Sequence, residues 1–183
     1  MVIAPESLVA KEGGAVLVGR MRNNDMSDGR TPKDVARMVV YLIDRILERE
    51  DAQLNGIIVF HDLKGLSRNN IHPAIPKLLL KGIIGHFPLK IKGIYFMNSP
   101  WFFKSFFSVV TAVLFSNKLK ERTHFVESPE VIYAVIEKEK LLEEHGGDLQ
   151  FDADAWVEKQ CAREKKGDFE SLHGCVVVKS SIN

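Results

Sequence analysis

Four short runs of apolar residues, separated by more polar segments, have the pattern of β-strands. Ala15 to Met21 has the sequence AVLVGRM, Ile57 to Phe60 is IIVF, and Ile91 to Met97 is IKGIYFM. A shorter run of the same kind, THFV, extends from Thr123 to Val126. Runs of this length and apolar character are typical of strands buried in a parallel sheet.

The segments between these runs have the spacing of helices. Thr31 can cap a helix with Pro32 at its first position, and apolar residues then recur three and four positions apart. Pro73 and Pro76 open a second helix that extends to about His86. Further helices are predicted at residues 101–115, at 117–122 and around 153–163. The order β-α-β-α-β-α-α-β-α-α predicts an α/β domain with a largely parallel sheet.

Composition is that of an ordinary globular domain. The chain has 183 residues, of which 45% are hydrophobic and 27% charged, so one domain is expected and no staple is needed. The two cysteines, Cys161 and Cys175, do not form a secreted disulfide framework, which favours a reduced, cytoplasmic setting. No apolar stretch reaches the roughly 20 residues of a membrane-spanning helix, so the protein is not expected to be transmembrane.

Charge is distributed unevenly along the chain. Residues 77–122 contain eight Lys and Arg against one acid, a net of +7, whereas the remaining residues carry a net of −6. A block of one sign is usually a solvated face. Beside an apolar segment it also suits an anionic membrane surface.

Motifs for catalysis are missing from the sequence. It contains no phosphate-binding loop, no GxSxG nucleophile elbow and no HExxH or CxxC metal pattern. We therefore expect no enzyme activity, no metal and no cofactor, and we expect no nucleic acid among the partners.

The most apolar segment is the predicted helix from Trp101 to Phe115, in which 11 of 15 residues are apolar. A helix that is apolar on nearly all sides must be covered on most of them. It is either a central core helix or a lid, with one face closing an apolar cavity and the other entering a bilayer. The apolar residues that cover most of one side include Phe102, Phe103, Phe106, Phe107 and Val110.

Two pairs of basic residues flank this helix. Lys90 and Lys92 are two positions apart at a strand start, which predicts a common direction for their side chains. Lys118 and Arg122 are four apart on a short helix and share a face. Solvated surface charge would explain each pair alone, while the two pairs together suggest a cradle for phosphate.

Four segments of the chain resemble the CRAL-TRIO lipid-binding domain and follow in that family's order. They are NGIIVFHDLKGL, FPLKIKGIYFMNSPWFF, NKLKERTHF and LLEEHGGDLQFDADAWVEK. The likeness covers roughly residues 15 to 160 and is greatest to the branch with alpha-tocopherol transfer protein, cellular retinaldehyde-binding protein and the clavesins. It implies a mixed, mostly parallel sheet and an apolar pocket closed by a gate helix, which here is residues 101–115.

The resemblance also implies which residues form the sites. Phosphoinositide head-group binding would fall to Lys90, Lys92, Lys118 and Arg122, with Lys92 replacing the usual arginine. Leu89 replaces the glutamate of the phosphatidylinositol exchangers. His61, which is unusual in its row, can either hydrogen-bond a polar ligand group or satisfy a buried neighbour. The residues that would line the lipid pocket are Val39, Ile43, Ile57, Val59, His61, Leu89 and Ile94.

The expected organisation is an N-terminal extension (1–14), the lipid-binding domain (15–164) and a C-terminal tail (165–183). The helical module that precedes this domain in most family members is absent from this sequence. The expected function is binding and transfer of a hydrophobic molecule or phospholipid by a cytoplasmic protein that docks peripherally on phosphoinositide membranes. The alternative is a protein-interaction or targeting module, such as a small-GTPase or membrane scaffold, without lipid turnover.

Overall fold

The structure is a computed structural model that describes residues 2–83 and 87–167. Its five-stranded sheet has the order β1-β2-β3-β4-β5. The strands are Val2–Ile3 (β1), Ala15–Arg20 (β2), Ile57–Asp62 (β3), Ile91–Met97 (β4) and Thr123–Val126 (β5). β2 to β5 are parallel and β1 is antiparallel to β2, so the mixed, mostly parallel sheet expected from the sequence is confirmed.

The described residues form seven α-helices, which lie between or after these strands. Each interval between the parallel strands contains at least one helix, as βαβ connections require. Four short 3₁₀ helices are also present in the described residues, at Met21–Asn23, Arg68–Asn70, Lys138–Lys140 and Glu143–His145. The α-helices are Pro32–Ile46 (α1), Glu50–Asn55 (α2), Ala74–Ile83 (α3), Trp101–Leu114 (α4), Asn117–Glu121 (α5), Pro129–Tyr133 (α6) and Ala153–Lys166 (α7).

The start of α1 follows its sequence signals. Thr31 accepts a hydrogen bond from the backbone N–H of Asp34, whose carboxylate accepts one from the Thr31 N–H, and Pro32 takes the first helical position. This capping box satisfies N–H groups that the first helical turn leaves unpaired. The predicted cap at Thr31 is therefore confirmed.

The consecutive order of the parallel strands determines where the helices go. Crossovers of one hand between successive neighbouring strands place their helices on the same face of the sheet. Leu17, Val59 and Phe96 lie on that face, beneath α1, α3 and α4. Val18, Phe60 and Met97 lie on the opposite face, where they pack with C-terminal residues that include Ile136 and Leu142.

The first residues of the chain are packed into the domain, although they were expected as an extension. Val2 and Ile3 pair with Gly19 and Val18 through β1, and Leu8 is fully buried. A two-residue strand is too short to show a periodic pattern, which is why the sequence did not indicate it. Residues 84–86 at the expected end of α3, and residues 168–183 of the expected tail with Cys175, lie outside the described residues.

Candidate functional site

A cavity of about 220 Å³ lies between the sheet and helices α1, α3 and α4. The floor of the cavity consists of alternate side chains of the parallel strands, because every second side chain of a strand points to the helical face. Its walls are almost entirely aliphatic and aromatic. An apolar space with few polar groups is the usual character of a site for a hydrophobic small molecule.

All seven residues that the sequence suggested for a pocket line this cavity. Val39 and Ile43 come from α1, and Leu89 precedes β4. The remaining four are strand residues of the floor, namely Ile57, Val59, His61 and Ile94. The parallel strands β3 and β4 thus bring Ile94 beside residues that lie more than 30 positions earlier in the sequence.

The inner face of α4 closes the cavity with phenylalanines. Phe103 is 1% exposed, and its ring centroid lies 5.2 Å from that of Phe96 on β4. Phe107 also packs on Phe96, at 4.6 Å. Phe106 lines the cavity beside them. The segment expected as a gate therefore forms part of the cavity wall.

The other two predicted gate residues, Phe102 and Val110, line a separate groove outside the cavity. This groove of about 760 Å³ runs between α4 and the start of α3, and its wall is largely apolar. Ile71 and Phe106 line both the groove and the cavity, so they form the partition between the two spaces.

The outer face of α4 exposes three large apolar side chains beside the polar residues Lys104, Ser105 and Ser108. Trp101 is 73% exposed, Val109 66% and Val113 75%. A lid that enters a bilayer would do so with its outward side chains, and Phe103 and Phe107 are not among them, since they are 1% and 8% exposed. Apolar residues on the inner side of α4 line the cavity, and those on the outer side are exposed. Composition alone does not distinguish these two environments. In the part of the chain that the structure describes, no helix has the length and apolar character to cross a membrane.

His61 is the unusual polar residue of the cavity floor. Its ring stacks on Phe96 with centroids 5.2 Å apart and planes within 10°. Burial lowers the pKa of His61 to about 4, an effect that the Gly19 backbone partly offsets. The imidazole is therefore neutral at physiological pH.

The four predicted basic residues gather at the edge of the sheet where the parallel strands begin. Arg122, at the end of α5, donates a hydrogen bond to the carbonyl of Ile91, which lies between Lys90 and Lys92. Lys118 is one turn earlier on α5. Among residues 2–83 and 87–167, Lys90, Lys118 and Arg122 have no carboxylate within 4.0 Å. Three cations at this edge are thus available to an external anion.

Lys92 differs from expectation in two ways. The register of β3 with β4 shifts between Ile57 and Ile58, which leaves Lys92 as an extra residue in a bulge. Spacing by two therefore does not by itself give Lys90 and Lys92 a common direction. Lys92 also forms an exposed ion pair with Glu12, at 3.6 Å.

Sequence reasoning missed a buried polar network at the opposite edge of the sheet. Asp62 at the end of β3 accepts hydrogen bonds from Asn98 (2.8 Å) and from the Lys64 N–H (3.0 Å), and it pairs with Arg22 at 3.1 Å. His145 Nδ1 lies 3.5 Å from the same carboxylate. Burial raises the pKa of Asp62, but these partners outweigh it and hold the pKa well below its ordinary value.

This network fastens the C-terminal segment to the sheet. Glu144, next to His145, pairs with Arg20 and Arg22, so two separate chain segments meet at one set of charges. The partners are dispersed over more than 120 positions, which is why no local motif indicated them. Among the described residues, no three His, Cys, Asp or Glu side chains are grouped as metal ligands.

Comparison with known proteins gives the class of this chain. The family model described as CRAL/TRIO domain matches residues 9–147. The chain belongs to this family, which is known for lipid binding and transfer, and the resemblance seen in the sequence is confirmed.

The individual relatives are identical to this chain at only about a quarter of the aligned positions. The chain is 25% identical to Clavesin-2 of Rattus norvegicus over 162 residues, which are 86% of this chain and 49% of that protein. It is 27% identical to Tyrosine-protein phosphatase non-receptor type 9 of Homo sapiens over 122 residues, which are 67% of this chain and 20% of that protein. The chain therefore spans between a fifth and a half of these relatives.

A solved structure supports the fold. The protein in "Crystal structure of Sfh5" aligns with a TM-score of 0.60 at 14% sequence identity, covering 74% of this chain and 50% of that one. At this identity the likeness concerns the fold alone.

Proposed function

We propose that this protein binds a hydrophobic molecule or lipid in the cavity beneath α4 and transfers it at a membrane surface. The observation that carries the proposal is an apolar cavity of about 220 Å³ closed by the phenylalanines of one helix. Because α4 presents phenylalanines to the cavity and Trp101, Val109 and Val113 to the outside, it can cover the cavity from water and contact a bilayer.

The size of the cavity implies that α4 moves. Sites for small molecules usually measure roughly 300 to 1,000 Å³, which exceeds the closed cavity. Displacement of Phe106 would join the cavity to the outer groove, because that side chain forms part of the wall between them. A ligand of lipid size is then accommodated by the combined space.

The membrane lowers the cost of that movement. Exposing buried phenylalanines to water costs about 25 cal/mol per Å² of apolar surface. A bilayer interior is as apolar as the cavity, so the same surface moves into lipid at little cost. Opening is therefore favoured at a membrane and disfavoured in water.

Docking is assigned to the basic edge formed by Lys90, Lys92, Lys118 and Arg122. Each Lys or Arg near an anionic bilayer contributes about 1 kcal/mol of attraction, and the attraction is screened by salt. A phosphoinositide head group suits a cluster of cations because it concentrates several phosphate charges.

We place the protein in the cytoplasm and peripherally on membranes, with binding rather than catalysis as its activity.

Vesicle binding tests the docking edge. The double variant Lys118→Ala/Arg122→Ala should reduce binding to phosphoinositide vesicles by about 2 kcal/mol, roughly thirtyfold, at low salt. Cosedimentation at several salt concentrations measures this.

The matched control is Lys138→Ala/Lys140→Ala, which removes two lysines that pair with Asp148 and Glu137 away from this edge. It should bind as the unaltered protein does. Equal loss of vesicle binding in both double variants would mean that only the overall positive charge of the protein matters. No loss in either would mean that the basic edge does not bind the vesicles.

A further inference from the structure

His61 places an imidazole in an otherwise apolar wall of the cavity. It is in register with Gly19 on β2 and with Phe96 on β4, so it lies in the central strand of the cavity floor. Its Nδ1 is buried and has no hydrogen-bond partner in the described part of the chain. A buried polar atom without a partner is uncommon in folded proteins and needs an explanation.

Gly19 provides the space for this ring. A Cβ atom at position 19 would overlap Nδ1 and Cε1 of His61, so only glycine allows the imidazole to lie across β2. The ring is thus held between the Gly19 backbone and the face of Phe96. Its position is set by packing against these two groups.

The other polar side chains that line the cavity already have partners. Each is a residue of the rim, where it bonds to backbone or to a carboxylate. Arg20 pairs with Glu144, Asn24 donates to the Asn70 carbonyl, Arg30 pairs with Asp28, Asn70 donates to the Arg22 carbonyl, and His72 accepts from the Ala74 N–H. By contrast, the buried Nδ1 of His61 has no hydrogen-bond partner among the described residues.

We propose that His61 hydrogen-bonds the polar end of the ligand, and that the ligand is a hydrophobic molecule with one hydroxyl group. This inference rests on the proposed function, since it assigns a polar subsite to the same cavity. A neutral imidazole has one donor and one acceptor nitrogen, and a hydroxyl can both donate and accept, so it matches either tautomer. A carboxylate would bring an uncompensated charge into an apolar space, which is disfavoured.

Two matched probes test this subsite. The fluorescent hydrocarbon 1,6-diphenylhexatriene reports loading of the cavity, and 1-dodecanol and 1-chlorododecane compete for it. The two competitors differ only in the terminal hydroxyl. One hydrogen bond corresponds to about a three- to tenfold preference. In His61→Phe, the dissociation constant of 1-dodecanol should rise by that factor relative to the dissociation constant of 1-chlorododecane.

His72→Phe is the matched control, because His72 lines the same cavity but its Nδ1 is engaged by Ala74. Its ratio should equal that of the unaltered protein. If His61→Phe does not fold, the ¹⁵N chemical shifts of the His61 imidazole are measured in the unaltered protein instead. They should change with 1-dodecanol and stay constant with 1-chlorododecane.

The outcomes separate the two proposals. If diphenylhexatriene loads but the ratio is the same in His61→Phe, the subsite is overturned and the proposed function stands. If dodecanoate depends on His61 and 1-dodecanol does not, the hydroxyl assignment is wrong. If no probe enters the protein at any concentration, the proposed function fails and the subsite with it.

Discussion

At the scale of single residues, the two polar groups of β3 have opposite environments. His61 faces the cavity and Asp62 faces the C-terminal segment, because successive strand residues point to opposite sides. Asp62 is surrounded by Arg22, Asn98 and His145, while the His61 nitrogen Nδ1 has no hydrogen-bond partner among the described residues. One of these groups is part of the structural framework, and the other is available to a ligand.

Asp62 makes stability depend on pH in the acid range. Its pKa is lower in the folded protein than in the unfolded chain, so its contribution is complete above about pH 4 and is lost as the pH falls toward the folded value. Asp62→Asn should lower the free energy of unfolding by about 3 kcal/mol at pH 7, and the difference should shrink below about pH 4. Urea unfolding from pH 7 to pH 3 measures this.

Asp148→Asn serves as the control, because its carboxylate pairs with Lys138 at a site that is half exposed. Its effect should be small at every pH. A constant difference between Asp62→Asn and the unaltered protein across the whole pH range would show that the charge of Asp62 does not stabilise the fold.

At the scale of elements, the inner side of α4 is packed into the core, whereas its first turn is held by few polar contacts. Within the described residues, no side chain caps its first turn. The Arg68 guanidinium lies over the rings of Trp101 and Phe102, at 5.8 Å from each, and joins the start of α4 to the loop before α3. Lys104 reaches Glu127 at 3.8 Å with both side chains exposed, which adds little.

Removing the Arg68 contact should therefore loosen the helix without unfolding the protein. A cation-π contact at an exposed site contributes about 0.5 to 1 kcal/mol. Arg68→Ala should accelerate release of diphenylhexatriene about two- to fivefold, with little change in the melting temperature. Stopped-flow transfer to empty vesicles measures the rate.

Arg37→Ala is the comparison, since Arg37 is an exposed arginine of α1 that pairs only with Asp34 of the same helix, at 3.3 Å, among the described residues. Its release rate should stay at the unaltered value. Equal rates in both variants would mean that Arg68 does not hold α4 closed.

What the sequence predicts well is the set of elements with a local cause. The apolar runs of β2 to β5, the cap at Thr31 and the apolar helix after Pro100 all depend on neighbouring residues, and the structure contains them. The sheet order then brings the seven cavity residues together. That step needs only the chirality of parallel crossovers.

The remaining features depend on distant partners. β1 exists because β2 offers a free edge, the bulge at Lys92 because β3 and β4 differ in register, and the Asp62 network because Glu144 and His145 return to the sheet. The two sides of α4 likewise both carry large apolar residues. Only tertiary contact distinguishes Phe103, inside, from Val113, outside.

At the scale of the whole molecule, the proposed ligand cavity and the proposed docking edge occupy separate places. The cavity lies beneath the helical layer, and the basic residues lie at the edge where the parallel strands begin. A substitution that fills the cavity should therefore leave docking intact. Val59 is suited to this because it lines the cavity from the middle of β3.

Val59→Phe should abolish uptake of diphenylhexatriene while binding to phosphoinositide vesicles is retained. The added ring occupies existing space, so the destabilisation that usually follows enlargement of a core residue is reduced. Probe fluorescence and cosedimentation measure the two activities on one preparation.

The same exchange at an exposed site, Val131→Phe on α6, should leave uptake and binding unchanged. If Val59→Phe takes up the probe as the unaltered protein does, the ligand does not occupy this cavity. If it loses both activities while folded, cargo and docking are coupled.

Because the crossover helices all lie on one face of the sheet, the two sides of the molecule respond differently to compression. Hydrostatic pressure favours states of smaller total volume, and the volume lost on unfolding scales with the voids that disappear. A cavity of about 220 Å³ makes the helical side the more compressible one, while the buried side chains of the opposite face form a continuous cluster with the C-terminal segment. A bound guest would remove that void, so the loaded protein would withstand higher pressure than the empty one.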